Sequence, residues 1–218
     1  MKDYQLMIFD LDGTLLDTTE GILASVSCAI DSLGLPPLPS REMTLSFIGP
    51  PVADSFAKHY GLSGALLQKA VDTFRNDYGS NRLFEATPYP GIYDVFEYLR
   101  KSGVKTAVAT YKREDMALRL LRHYSFDRYT DIMFGADKDN KLQKKDIIMK
   151  CIHQSNLGEP KTLVIGDTAH DAMGAEQSGL DFLAVTYGFG FKTGDDLSGV
   201  RAVAFVKSPQ EIIQWFNG

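Results

Sequence analysis

Two aspartates, Asp10 and Asp12, stand either side of a leucine at the end of the apolar run Leu6, Met7, Ile8, Phe9, and Gly13 and Thr14 follow them. The run reads as a buried strand. Burial penalises a carboxylate, and so does a second carboxylate beside it, unless a cation offsets both costs. Two other apolar runs end in chemistry: "TLVIGD" (162–167) finishes in Asp167, with Asp171 four residues on, and "VKTAVAT" (104–110) finishes in Thr110. If these runs are parallel strands of one sheet, their C-terminal ends share an edge, and carboxylates and a hydroxyl converge there. Hard oxygen ligands of this kind select Mg²⁺, which keeps several waters and leaves positions for a phosphate oxygen. An ionised Asp10 can then attack phosphorus. Asp12 can give a proton to the leaving oxygen and later take one from water. Gly13 lets the backbone turn tightly and aim N–H groups at an anion.

The order of elements favours that convergence. Strand-like runs at 104–110, 130–137, 162–167, 181–188 and 202–206 alternate with helical patterns at 112–124, 145–158 and "AHDAMGAEQSG". A last helix starts at Pro209, where proline suits the first turn. Such alternation predicts an α/β fold, a doubly wound parallel sheet with helices on both faces. Gly158 is the expected stop of the 145–158 helix.

Between Thr18 and about Arg82 the patterns are helical only, punctuated by "GLPPLPS" and "GPP". The expected organisation is therefore a core of residues 1–17 and 83–218 with an all-helical domain, 18–82, inserted after the first strand. Hinges are expected at Leu15–Asp17 and Leu83–Pro88.

The chain has 218 residues, 44% hydrophobic and 23% charged, with a net charge of −5. That is ordinary globular composition, large enough for a core domain plus a smaller one. "KLQKK" (141–145) is the densest basic stretch and is too short for a surface that neutralises nucleic-acid phosphates, so no nucleic-acid polymer is expected as partner. No apolar run approaches the ~20 residues of a membrane span. The polar start leads straight into the first strand, so no signal peptide is expected. Cys28 and Cys151 lie in apolar helical patterns without CxxC spacing and are expected to be buried, reduced thiols. Together these features predict a cytoplasmic protein, monomer or homodimer, whose partner is a small molecule.

"DLDGTLLDT" resembles the first motif of the haloacid dehalogenase-like phosphatases, "AVAT" their second and "VIGDTAHDAMGAEQSGL" their metal-binding fourth. The helical insert is similar to that family's cap, so the resemblance covers nearly the whole chain. "YPGIYDVFEYLRKSG" and "VTYGFG" resemble phosphoglycolate-phosphatase-like members. The resemblance implies an aspartyl-phosphate on Asp10, with Asp12 as general acid/base lending its backbone carbonyl to Mg²⁺. It implies that Thr110 holds the transferring phosphoryl group, that Asp167 completes the metal ligands, and that Asp171 stands behind them or reaches the metal through water. It also implies a phosphate-binding lysine. Of Lys141, Lys144 and Lys145, Lys144 is favoured because it stands just ahead of the helical "DII".

Lys112 is either a substrate contact or an exposed helix-start lysine, and His170 is expected to be a neighbour of the site rather than a catalyst. The "FIGPP" segment, Ser46 to Pro51, is either plain punctuation between helices or the cap loop that selects substrate. The expected activity is Mg²⁺-dependent hydrolysis of a small phosphate monoester, of the phosphoglycolate or nucleoside monophosphate class. The alternatives are a phosphomutase of the β-phosphoglucomutase type and a pyrophosphatase. A dehalogenase has no need of Asp12 or a full metal site, and a non-catalytic module would be favoured by loss of Asp10, Asp12 or Asp167, all of which are present.

Overall fold

The computed structural model describes residues 2–138 and 141–218. The chain divides into two compact units, Met1–Asp17 with Pro88–Gly218, and Thr18–Thr87.

The first unit opens with β1 (Leu6–Phe9) and the two-residue β2 (Leu16–Asp17). The second holds α1 (Thr19–Ser32), α2 (Arg41–Leu45), α3 (Val52–Tyr60) and α4 (Gly64–Asp77), and β3 (Thr87–Pro88) lies at the return crossing. The first unit then continues through α5 (Ile92–Lys101), β4 (Lys105–Arg113), α6 (Glu114–His123), β5 (Met133–Ala136) and α7 (Lys144–Ser155). It closes with β6 (Thr162–Gly166), α8 (Ala169–Gln177), β7 (Asp181–Val185), β8 (Ala204–Val206) and α9 (Pro209–Asn217).

Six strands form one sheet in the order β5-β4-β1-β6-β7-β8, with every neighbouring pair parallel. Order reverses at β1, so the crevice between the ends of β1 and β6 is the switch point where such sheets bind ligands. Strands covered on both faces read as unbroken apolar runs, and β1 and β6 are buried along their whole length. Alternation divides β1 between two layers. Leu6 and Ile8 join Ile147, Ile148 and Cys151 of α7 in one cluster. On the other side Phe9 meets Phe96 of α5, ring centroids 4.8 Å apart.

In the helical unit, α1 buries Ile22, Val26, Ala29 and Ile30, and Phe47 meets Phe56 edge-on at 5.0 Å and stacks on His59. Ser46 Oγ donates to the Met43 carbonyl (2.7 Å), which ties the start of the "FIGPP" segment back onto α2.

Four expectations need correction. The return boundary falls at Thr87/Pro88 rather than 82/83, because a π-helical turn, Tyr78–Arg82, continues α4 and the Gly21 N–H donates to the Glu85 carbonyl at 3.2 Å. Strand β4 runs to Arg113, three residues beyond Thr110. Helix α7 stops at Asn156, which takes the left-handed conformation (φ 55°) two residues before Gly158. Cys151 is buried but Cys28 is exposed, since it lies two positions past Val26, on the far side of α1 from the buried stripe. Among the described residues no helix is long and apolar enough to cross a membrane.

Candidate active site

The first strand delivers Asp10 to the switch point, its N–H held by the Ile165 carbonyl of β6 at 2.9 Å. The chain then folds back at once: the N–H groups of Leu15 and Leu16 both reach the Leu11 carbonyl, and that of Gly13 reaches Leu16 (2.8 Å). Gly13 has φ +88°, and a Cβ there would run into the Asp167 carboxylate and the Phe189 ring. Gly13→Ala is therefore expected to cost about 1–3 kcal/mol, seen as a melting midpoint several degrees lower. An unchanged midpoint would mean that the turn can relax.

Asp167 follows β6 and is fully buried. Its Oδ2 accepts the N–H groups of Phe189 (2.7 Å) and Gly190 (3.1 Å), and Thr14 Oγ1 donates to its Oδ1 at 3.4 Å. Asp171 is the third residue of α8 and closes a capping box with Thr168, whose N–H and hydroxyl both donate to its Oδ2. Its other oxygen faces Lys144.

Lys144 is the first residue of α7 and is almost fully buried. Its Nζ lies 2.5 Å from Asp10 Oδ1 and 2.5 Å from Asp171 Oδ1. Of the three candidate lysines only this one reaches the carboxylates; Lys141 and Lys145 are exposed. Burial works against its charge, yet Asp10 and Asp171 outweigh burial and hold the ammonium above its usual range.

The carboxyls feel the reverse balance. Burial, with Asp171 and Asp167 close by, pushes Asp10 well above the usual carboxylate range despite Lys144. Burial and then Asp171 push Asp167 up to about 7, against the pull of the Gly190 and Phe189 N–H groups. One oxygen from each of Asp10, Asp167 and Asp171 lies within 4.8 Å of the others. Three buried acids so close favour a cation among them. The Asp12 carboxylate is not one of these three.

Asp12 instead pairs with Lys112, Nζ to Oδ2 2.9 Å, and the lysine side chain is only 7% exposed. Lys112 is thus not a solvated helix-start lysine; it belongs to the end of β4. Thr110 is buried, and its Oγ1 accepts the Lys112 N–H at 3.1 Å. His170 lies beside the cluster, edge-on to Tyr111 at 5.6 Å.

Two contributions escaped the sequence. Backbone donors at Phe189 and Gly190 have no side-chain signature, and the only trace is the glycine pair in "YGFG". Tyr111 gives no signal of its own, because strand alternation puts it on the opposite face from Thr110 and Lys112.

Residues 7–185 match the sequence profile of the haloacid dehalogenase-like hydrolases. A 5′-nucleotidase of Pseudomonas aeruginosa is 35% identical over 188 residues, 86% of this chain and 85% of that protein. The tyrosine-protein kinase PtkA of Mycobacterium tuberculosis is 33% identical over 209 residues, 95% of this chain and 71% of the kinase. Among solved structures, a haloacid dehalogenase-like hydrolase of Streptococcus pneumoniae superposes with a TM-score of 0.89 at 30% identity, covering 99% of this chain and 100% of that one.

Proposed function

We propose that this chain, which belongs to the haloacid dehalogenase-like hydrolase family and is a phosphatase, hydrolyses a small phosphate monoester through an aspartyl-phosphate on Asp10. The observation that carries the reading is the Lys144 ammonium bridging Asp10 and Asp171 beside the buried Asp167. A nucleophilic carboxylate must be ionised, and burial alone would protonate it. Lys144 supplies a positive charge at Asp10 Oδ1 and would share it with an incoming phosphate.

Asp10 then attacks phosphorus, and the ester oxygen leaves with a proton from Asp12. In the second half Asp12 takes a proton from water as that water attacks the phosphorus, the Asp10–phosphate bond breaks and inorganic phosphate departs. Thr110 would donate its hydroxyl to the phosphoryl oxygens common to both halves.

The donor set, three crowded carboxylates with raised pKa, fits a hard divalent cation. Asp10, Asp167 and the Asp12 backbone carbonyl would hold Mg²⁺, with Asp171 behind them. The ion's contribution is to neutralise phosphate charge and polarise phosphorus toward attack. Two expectations about stability follow. A folded-state pKa near 7 means that folded Asp167 keeps a proton which the unfolded chain has already lost, so metal-free stability falls as pH rises from about 4 to 7. Mg²⁺ binding only the folded state reverses that loss and raises the melting midpoint at pH 8. A midpoint at pH 8 that ignores Mg²⁺ would remove the ion from this site.

The experiment is turnover of a phosphate-ester panel with Mg²⁺ and in excess chelator. Nucleoside 5′-monophosphates stand first because the Pseudomonas relative is a 5′-nucleotidase. Phosphoglycolate, pyrophosphate and a hexose phosphate complete the set, and isomerisation of the last without phosphate release would identify a mutase. Substitutions from Ser46 to Pro51 are expected to change which ester is preferred, with p-nitrophenyl phosphate hydrolysis unchanged. A second reading, transfer of phosphate to tyrosine, is favoured by the match to PtkA. Phosphotyrosine formed from ATP and a tyrosine peptide would favour it over hydrolysis.

A further inference from the structure

We propose that Tyr111 is a positioning residue for Lys144; this rests on Lys144 being the cation of the phosphoryl-transfer step. The register between β4 and β5 runs Val108↔Met133, Ala109↔Phe134 and next Arg113↔Ala136, so four steps on β4 answer two on β5. In a regular strand successive side chains point to opposite faces. The irregular stretch frees consecutive residues from that rule. Thr110 takes the Lys112 N–H, Tyr111 reaches Lys144, and Lys112 pairs with Asp12.

Lys144 opens α7, so its N–H is among the first four that the helix itself cannot satisfy. The capping box of Gln143 and Asp146 serves the N–H groups of those two residues. The Lys144 N–H donates instead to the Tyr111 hydroxyl oxygen at 2.8 Å. The same ring has the Lys144 Nζ 5.8 Å from its centroid and the His170 ring edge-on at 5.6 Å. His170 precedes Asp171, so Tyr111 touches the first turns of both helices whose side chains, Lys144 and Asp171, form the ion pair. The lysine stem is confined by Gly174, where a Cβ would press on Lys144 Cγ at 2.7 Å. The hydroxyl therefore sets where the Lys144 backbone sits, and a stem so confined passes that setting on to Nζ and to Asp10.

Tyr111→Phe keeps the ring and removes one oxygen. kcat/KM for p-nitrophenyl phosphate is expected to fall roughly five- to tenfold, the scale of one lost hydrogen bond, and the affinity for inorganic phosphate by a similar factor. The melting midpoint should drop by no more than about 4 °C. In a Lys144→Met background the same substitution should change phosphate affinity by less than about twofold, because the group it positions is gone. Wild-type kcat/KM for Tyr111→Phe, or an equal loss of phosphate affinity in both backgrounds, would overturn the inference. Full turnover by Lys144→Met alone would overturn the reading of Lys144 instead, whatever Tyr111→Phe does.

Discussion

Asp10→Asn is expected to abolish turnover, by roughly 10⁴-fold or more, with the fold intact. The amide nitrogen has no lone pair to offer phosphorus and the amide oxygen is a poor nucleophile, so no covalent intermediate forms. Stability should be spared for a reason visible in the site. Asp10 is one of three buried carboxyls crowded together, and Lys144 keeps Asp171 as partner when Asp10 becomes neutral. Removing one acid relieves repulsion, so the metal-free variant should melt no lower than the parent. Two measurements check this: kcat on p-nitrophenyl phosphate, and the intact mass of protein quenched in acid during turnover. The parent should carry a phosphoryl group and the variant none. Near wild-type kcat in Asp10→Asn would end the covalent mechanism.

The residues involved were legible to different degrees, and the reason is physical. Asp10, Asp12 and Asp167 stand out because an apolar strand ending in acid is costly without a purpose, and the meeting of Asp10 with Asp167 follows from parallel strands sharing an edge. The six-stranded parallel sheet itself was written in the alternation of apolar runs and amphipathic stretches. Lys144 was favoured over its neighbours by its place at the start of a helix, and only that position points its side chain at Asp10. Lys112 and Tyr111 were harder, since period-two alternation assigns neighbours to opposite faces and the extra residues in β4 cancel that rule. The amides of Phe189 and Gly190 that hold Asp167 come from a segment whose side chains take no part in that hold. Cys28 and the 82/83 boundary show a different limit. A place within a helical pattern does not by itself bury a residue or end a domain: Cys28 lies off the stripe of Ile22, Val26 and Ile30, and a turn that continues α4 carries the helical unit past Arg82.

Asp12→Asn should separate the two halves of the reaction. An asparagine cannot donate the proton that an alkoxide leaving group needs, so kcat for an alkyl phosphate is expected to fall by about 10²–10⁴. p-Nitrophenolate leaves without a proton, so formation of the aspartyl-phosphate from p-nitrophenyl phosphate should be nearly spared. Hydrolysis of that intermediate still lacks its base, because the carboxylate that would take the water proton is gone. Lys112 cannot replace it. Its ammonium is held by the Asp12 carboxylate at 2.9 Å in the parent and offers donors only, with no acceptor for a water proton. The phosphoenzyme should therefore accumulate, giving a burst of p-nitrophenol close to one equivalent of enzyme followed by slow steady turnover. Rapid mixing measures the burst, and the alkyl-to-aryl ratio of kcat/KM, which reports the steps up to departure of the leaving group, measures the acid role separately. Equal losses of kcat/KM on the two esters with no burst would remove Asp12 from both roles.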